Sequence, residues 1–400
     1  MTRPSPPATD GPSLFDEALL TDPHAGYARL RAAGPVHRTT TPDGADVWLV
    51  TRFDDVQAAL VDPRLSLNKG NALSVGSHGP SMPPELDAHL LNLDPPDHTR
   101  LRRLVSRAFT PRRVEGLRSR VGAVTEELLD GFGGTGADLM AGLALPLPMA
   151  VICELLGVPQ EARPDFRTWT NTLRSPEPDS ALDSREAMGR MHGYLTGLIA
   201  EKRARPGDDL VSAMIGARDD HDRLTEPELL ALTFLILFAG YDNAVNLIGN
   251  TALALLTHEE QRERLLQGRI SVQDVLRETL RWESPSLLAS RRFPLEDLTI
   301  GGVTIRAGER IWLSLASANR DEARFEEPDS FDPARGGTHL DFGHGIHYCL
   351  GAPLAQLEGE VAITALLRRY PTLRLAVAPA ELRWRRSFRN RGLAELPVGW

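Results

Sequence analysis

The chain has 400 residues, of which 42% are hydrophobic and 25% are charged, as is typical of globular proteins that fold in water. This length is greater than the length of chain that usually forms one hydrophobic core. It suits a single large enzyme domain with a subdomain. A formal net charge of −9 at pH 7 argues against nonspecific nucleic-acid binding as the main activity.

The cysteines and the N-terminal residues indicate the cellular compartment in which the protein is expected. Cys153 and Cys349 lie far apart, so we do not expect them to pair, and a reducing cytoplasm is the simpler setting. Residues 1–13 are proline-rich and polar, which predicts a disordered leader without a signal peptide or membrane anchor. The most apolar run, 229–241, is too short to span a bilayer. We therefore expect a soluble protein.

The first part of the chain mixes helical and strand-like patterns. The predicted elements are a helical region at 14–33, a hairpin of strands 36–40 and 46–51, a helix at 56–60 capped by Asp54, and an irregular segment at 63–84. Gly, Ser, Pro and Asn dominate the irregular segment. A long segment of this kind inside a compact domain is more often functional than accidental.

Helical patterns dominate from residue 97 onward. A helix begins at Asp97, which is its predicted N-cap, and its His98 and Arg102 lie four residues apart on one face. Taken alone, that pair fits an arginine-rich, solvated helix. Further helices are predicted at 114–130, 149–156, 165–173 and 187–203, with a mobile connection between the last two.

The longest predicted helix starts at a capping box of Thr225 and Glu228 and extends to about residue 256. It is apolar as far as Ala239, and Gly240-Tyr241-Asp242-Asn243 follows, with Asn246 and Asn250 on about the same face as Asn243. Buried polar groups need partners, so this stripe indicates a polar cavity, ordered water or ligand contact. For Asn246 and Asn250 we favour a structural hydrogen-bond network.

A glycine-rich loop carries Cys349 and precedes a predicted helix whose first turn holds Pro353. Amide groups and the helix dipole would favour a thiolate there, which could serve as a metal ligand or nucleophile. A buried structural cysteine is the ordinary alternative. A zinc site with His344 and His347 lacks a fourth ligand, and a cysteine nucleophile would need a histidine base.

The pattern Phe-Gly-x-Gly-x-His-x-Cys-x-Gly, from Phe342 to Gly351, closely resembles the haem-binding loop of cytochrome P450 enzymes. The resemblance implies heme b with Cys349 as the iron ligand. It also implies that Phe342, Gly343, His347 and Gly351 contact the cofactor.

Other motifs in the expected order extend this resemblance over nearly the whole chain. His98 and Arg102 match the His-x-x-x-Arg pair that holds the haem propionates, and Arg292 is the expected second partner, with Arg291 as the open alternative. Glu278 and Arg281, alone a weak helix-surface pair, match a Glu-x-x-Arg motif that we regard as structural.

The long helix matches the P450 motif that manages protons and water, with one departure. Gly240 and Asp242 match, but Asn243 stands where the family has threonine. An amide can hold water, yet it cannot relay a proton as a hydroxyl can. We expect Asn243 to position a water, or a substrate hydroxyl to complete the relay.

The resemblance also implies a substrate pocket and partners. The pocket residues would come from the loops 64–92 and 171–186 and from Leu235, Phe238, Ala239, Leu287, Leu288, Ala289 and Phe388. No flavin or nicotinamide fingerprint is found, so electrons would come from a ferredoxin and its reductase. A basic patch for their docking would be formed by Arg103, Arg107, Arg112 and Arg113.

The sequence therefore predicts a cytochrome P450 fold, mainly α with a small β-rich lobe, in one catalytic domain at 14–400 after the leader. The expected protein is a cytoplasmic monomer that uses dioxygen to oxidise a mid-sized apolar molecule, without nucleic-acid or membrane partners. One alternative is a P450-fold enzyme that uses peroxide or catalyses oxidative ring closure or coupling. The other is a haem protein that binds a ligand without turnover.

Overall fold

A computed structural model describes residues 19, 21–41, 44–73, 83–174, 183–219 and 222–400. The predicted leader 1–13 and parts of both predicted pocket loops, 74–82 and 175–182, lie outside these residues. The described α-helices are α1 (Pro23–Ala33), α2 (Phe53–Val61), α3 (Pro84–Asp87), α4 (Asp97–Ala108), α5 (Pro111–Gly116), α6 (Arg118–Asp130), α7 (Pro146–Leu156), α8 (Arg163–Arg174), α9 (Ser184–Ala204), α10 (Leu210–Gly216), α11 (Glu226–Thr257), α12 (Glu259–Leu266), α13 (Val272–Trp282), α14 (Leu315–Ala318) and α15 (Ala352–Arg369).

The strands are short and form small sheets. They are β1 (Val36–Thr40), β2 (Asp46–Val50), β3 (Leu65–Ser66), β4 (Gly136–Asp138), β5 (Arg218–Asp219), β6 (Asp222–Arg223), β7 (Phe293–Pro294), β8 (Leu298–Ile300), β9 (Val303–Ile305), β10 (Ile311–Leu313), β11 (Arg374–Leu375) and β12 (Pro397–Gly399). The first sheet has the order β1-β2-β10, with β1 antiparallel and β10 parallel to β2. A second has the order β11-β12-β4, and the other strands form pairs. The predicted mainly helical fold with a small β-rich part is confirmed.

Helix α11 runs through the centre of the molecule. Its capping box at Thr225 and Glu228 forms as predicted, and its 32 residues pack against α7, α9, α13 and α15. In the described part of the chain it is the one helix whose length and hydropathy would let it cross a membrane, and 61% of its most apolar window is buried inside the protein. Burial on nearly all sides explains why α11 is apolar around most of its circumference.

Two helix starts differ from the sequence predictions. Helix α2 begins at Phe53, so Asp54 lies in its first turn and is not the cap. The Phe53 amide donates instead to Asp321 Oδ2 over 2.7 Å, a distant residue that local sequence could not reveal. Similarly, Pro96 takes the cap position of α4 and Asp97 lies in the first turn. Both aspartates lie near the positive end of the helix dipole, where a negative charge is stabilising.

Candidate active site

A cavity of about 670 Å³ lies between α11, the Cys349 loop, the start of α15 and the segment 385–390. This volume falls within the range of roughly 300–1,000 Å³ that is usual for small-molecule sites. Most of α11 is buried, yet Phe238, Ala239 and Gly240 in its middle are exposed, because they face the cavity. The helix continues without interruption through Gly240 and Asn243.

Most of the residues predicted from the sequence are brought together at this cavity. Those that line it are Arg102, Leu235, Phe238, Ala239, Gly240, Asp242, Asn243, Leu288, Ala289, Arg292, Phe342, Gly343, His347, Cys349 and Gly351. His98 lies immediately behind, with its ring 4.1 Å from the ring of His347.

Two predicted pocket residues, Leu287 and Phe388, do not line the cavity. Both belong to a hydrophobic cluster with Trp312, whose ring makes an edge contact with Phe388 at 6.3 Å. Side chains alternate between two sides along an extended chain. Leu288 and Arg389, which follow Leu287 and Phe388, line the cavity, although Leu288 also packs in the same cluster.

The Cys349 loop is held by its own backbone. Gly343 and Gly345 have φ angles of +73° and +74°, which side-chain-bearing residues rarely adopt, and a Cβ on Gly345 would approach Val61 Cγ1 to 2.7 Å. The Cys349 amide donates to the Phe342 carbonyl over 2.8 Å. These constraints present the half-buried thiol to the cavity at the start of α15.

The electrostatics of Cys349 differ from the sequence prediction of a lowered pKa. Burial raises the pKa of the thiol, although the amides of Gly351 and Ala352 and the charge of Arg102 act in the opposite direction. Desolvation disfavours the charged thiolate more than these groups favour it. A metal cation bound to the sulfur would reverse this balance, because coordination deprotonates a thiol.

Three basic side chains beside the thiol lack carboxylate partners in the part of the chain that the structure describes. His98 is 1% exposed, and neither ring nitrogen forms a hydrogen bond there. Arg102 likewise forms no ion pair, and burial lowers its pKa while the charge of Cys349 raises it. Arg292 is 2% exposed and donates only to the carbonyls of Ser290 and Leu60, and burial lowers its pKa to about 10.

Buried cations are costly unless they meet counter-charges. A thiol beside two cavity-lining arginines that lack carboxylate partners, with the unpartnered His98 ring behind them, therefore fits an apolar metal complex that carries acidic side groups. Haem has these properties, because its iron takes a thiolate and its propionates take basic partners. The residues present fit the group that the sequence motifs imply.

Asp242 contacts two residues that were not predicted from the sequence. Its Oδ1 lies 2.9 Å from Arg385 Nη1, and its Oδ2 accepts a hydrogen bond from Asn390 Nδ2 over 2.8 Å. Asn243 faces the same cavity, and its buried Oδ1 forms no hydrogen bond to the described residues. The nearest sequence signal for the partners was the concentration of arginines around Phe388.

Two structural roles assigned from the sequence are consistent with the contacts observed. Asn250 donates to the carbonyls of Glu283 and Arg391, and Asn246 accepts from Arg385 Nη2 over 2.7 Å. Glu278 and Arg281 form a bidentate pair at 2.7 and 2.9 Å. This pair is buried, with side chains 4% and 3% exposed, and is not the helix-surface pair that the spacing alone suggests.

Comparison with known proteins gives consistent matches. The model of the cytochrome P450 family matches residues 267–379. The chain is 47% identical over 394 residues to Cytochrome P450 107B1 of Saccharopolyspora erythraea, and the match covers 96% of each protein. It is 42% identical to Mycinamicin IV hydroxylase/epoxidase of Micromonospora griseorubida, covering 94% of each. The ligand-free structure of the P450 monooxygenase TamI matches with a TM-score of 0.89 at 44% identity, covering 98% of this chain and 94% of that one.

Proposed function

This chain belongs to the cytochrome P450 family and is a P450 monooxygenase, and from this premise we propose that it hydroxylates or epoxidises a mid-sized apolar molecule in secondary-metabolite tailoring. The name of the mycinamicin relative, a hydroxylase and epoxidase, supports both reaction types. The cavity supports the substrate class, because Leu235, Phe238, Leu288 and Ala289 give it an apolar wall.

The family implies a haem-thiolate cofactor, and we propose that Cys349 is its ligand. His98, Arg102 and Arg292 would hold the propionates, while Phe342, Gly343, His347 and Gly351 would contact the macrocycle. When bound, haem supplies the redox chemistry by which dioxygen is activated for transfer of one oxygen atom. The protein's part is to ligate the iron, neutralise the propionates and keep the substrate in an apolar site.

Protons would reach the cavity through Asp242. Its carboxylate lies at the cavity wall and is oriented by Arg385 and Asn390. Asn243 follows it in α11 and has an unsatisfied oxygen that can hold a water molecule. In this proposal Asn243 positions the water, or a hydroxyl of the substrate completes the path that a threonine hydroxyl would provide.

Electrons would come from a ferredoxin and its reductase. The proposed docking surface contains Arg103, Arg107, Arg112 and Arg113 on α4 and α5. Ile346 and Tyr348 beside the cysteine are 51% and 44% exposed, which gives this face an apolar component. We propose a cytoplasmic monomer that acts without nucleic-acid or membrane partners.

The observation that carries the proposal is the gathering of Cys349, Arg102, Arg292, Asp242 and an apolar wall in one cavity. The test supplies the holoenzyme with ferredoxin, reductase and NAD(P)H and screens apolar polyketides and terpenoids by mass spectrometry. We expect a product heavier by one oxygen atom, with label from ¹⁸O₂. Products that never contain oxygen from dioxygen would contradict the proposal.

Asn243 favours one second candidate, a peroxide-driven oxidation or an oxidative ring closure or coupling. Turnover with peroxide alone, compared with turnover by the complete electron-transfer chain, separates the two candidates. Faster product formation with peroxide alone would favour the second. The remaining alternative is a haem protein that binds a ligand without turnover. It predicts stable ligand binding and no product with either oxidant.

A further inference from the structure

We infer that Arg389 binds a carboxylate of the substrate, so that the substrate is an apolar molecule with one anionic end. This inference rests on the proposed function, because it takes the cavity to be the substrate site. It concerns the segment 385–390, which forms the part of the wall contributed by the C-terminal region.

The position of Arg389 is defined by contacts on two sides. Its carbonyl accepts from the Leu287 amide over 2.8 Å, and its own amide donates to Ser387 Oγ over 3.2 Å. Its guanidinium lies over the Trp312 ring, with Cζ 5.4 Å from the ring centroid. Stacking on one face leaves the N–H edge of the guanidinium available to a ligand.

Arg389 faces an enclosed space. The residue is accessible to water and lines the cavity. Nevertheless, burial lowers the pKa of its guanidinium, because protein atoms surround the cavity into which it projects. Among the described residues the guanidinium forms no ion pair and no hydrogen bond. It is therefore a cation in a partly desolvated site without a counter-charge.

The acidic groups of the described cavity wall do not supply that counter-charge. Asp242 pairs with Arg385 at 2.9 Å, and Asp87 pairs with Lys69 at 2.5 Å. Burial raises the pKa of Asp341 to about 7 and that of Glu358 to about 8, so both carboxyls hold a proton more readily than ordinary ones. A bound molecule that carries a carboxylate would supply this counter-charge.

The propionates of haem would not serve this purpose in the proposed arrangement. They are assigned to His98, Arg102 and Arg292, which gather beside Cys349, whereas Arg389 belongs to the segment whose Arg385 and Asn390 hold Asp242. A carboxylate on the substrate matches the planar fork of an arginine and can accept two parallel hydrogen bonds. Such an anchor would orient the apolar remainder of the substrate within the cavity.

The test compares dodecanoic acid with dodecanamide, which has the same chain but no charge. Binding to the holoenzyme is followed by calorimetry and by the shift of the haem spectrum from low to high spin. We expect Arg389→Gln to weaken acid binding by about 10- to 100-fold and to leave amide binding nearly unchanged. Arg389→Lys, which keeps the charge but loses the fork, should retain part of the acid preference.

Arg383→Gln is the matched control. Arg383 lies two residues before the segment 385–390, but its side chain is 72% exposed and pairs with Glu395 at the surface. We expect this substitution to change the affinity for neither compound. A structural role of Arg389 on Trp312 would weaken acid and amide binding equally, and that result would overturn the inference, as would unchanged acid binding.

The outcomes for this inference and for the proposed function are distinguishable. Oxygenation of substrates together with equal binding of acid and amide overturns the anion site and leaves the monooxygenase proposal intact. If the protein turns over no compound, the proposed function is contradicted. Calorimetry then still reports whether acid binding depends on Arg389.

Discussion

Arg385 on the C-terminal segment lies 2.9 Å from Asp242 on the central helix, joining Nη1 to Oδ1. The same arginine donates through Nη2 to Asn246 Oδ1 over 2.7 Å, one helical turn further along α11. The guanidinium therefore fastens the segment that forms part of the cavity wall to the helix that carries the acidic residue. In the proposed function, this contact joins the segment that would meet the substrate to the residue that would supply protons.

We predict that Arg385→Gln lowers the free energy of unfolding by about 1–3 kcal/mol, because it leaves a half-buried carboxylate and an amide oxygen without their partner. Product formed per NAD(P)H consumed should also fall, since Asp242 loses one of the groups that orient it. Urea denaturation and coupling assays measure the two effects. Arg385→Lys, which keeps the charge, should be milder. Equal stability of Arg385→Gln and wild type would contradict the assigned contact.

Substitutions at Asn243 test the water-positioning role. Asn243→Thr restores a hydroxyl that can relay a proton, so we expect the ratio of product to NAD(P)H consumed to rise. Asn243→Leu removes hydrogen bonding and should lower the rate of product formation by about tenfold or more. Unchanged coupling and product in both variants would show that Asn243 has no role in proton delivery.

The buried pair of Glu278 and Arg281 should be essential for stability. Arg281 also donates to the carbonyls of Asn319, Pro328 and Ser330, so Arg281→Ala removes the bidentate partner of a buried carboxylate and a donor from each of three carbonyls. We predict a loss of about 3–5 kcal/mol in the free energy of unfolding.

A matched surface pair provides the control for that experiment. Arg190 and Glu186 lie four residues apart on α9, with side chains 56% and 48% exposed. Arg190→Ala should cost less than about 0.5 kcal/mol, because solvent screens exposed pairs. Similar losses for Arg190→Ala and Arg281→Ala would show that burial of the Glu278 pair contributes little.

Glu358 should make stability dependent on pH. It is 2% exposed, and burial raises its pKa to about 8 from its ordinary value of 4.5. Between these values the folded protein binds a proton that the unfolded chain has released, so this group's contribution to stability falls as pH rises. Below pH 4.5 both states are protonated and the effect vanishes.

The substitution Glu358→Gln removes that titration while preserving the shape of the side chain. The stability of the variant relative to wild type should therefore increase by up to about 1.4 kcal/mol per pH unit between pH 5.5 and 7.5. Chemical denaturation at several pH values measures the difference. A difference that stays constant with pH would contradict a raised pKa for Glu358.

Local sequence was sufficient for features that depend on local interactions. The capping box at Thr225 and Glu228, the hairpin of β1 and β2, and Pro353 in the first turn of α15 are all formed. Helix α2 begins earlier than predicted because its cap is Asp321, more than 260 residues away. Helix propensity alone does not predict a cap that comes from a distant part of the chain.

The site shows the same division between local and distant interactions. Most of the site residues predicted from the family motifs line the cavity. Leu287 and Phe388 do not line the cavity, because both belong to the cluster with Trp312, a contact between distant parts of the chain that local sequence does not reveal. Arg385 and Asn390 were missed because the sequence gives no sign that residues so far from Asp242 contact it.

The proposed haem site depends most directly on Cys349 as the iron ligand. The decisive measurement is the absorption spectrum of the reduced, carbon-monoxide-bound holoenzyme, recorded for wild type and for Cys349→Ala. Wild type is predicted to show the red-shifted Soret band of a thiolate-ligated haem, and the variant is predicted to lack it. Absence of that band in wild type, or its persistence in the variant, would contradict the account.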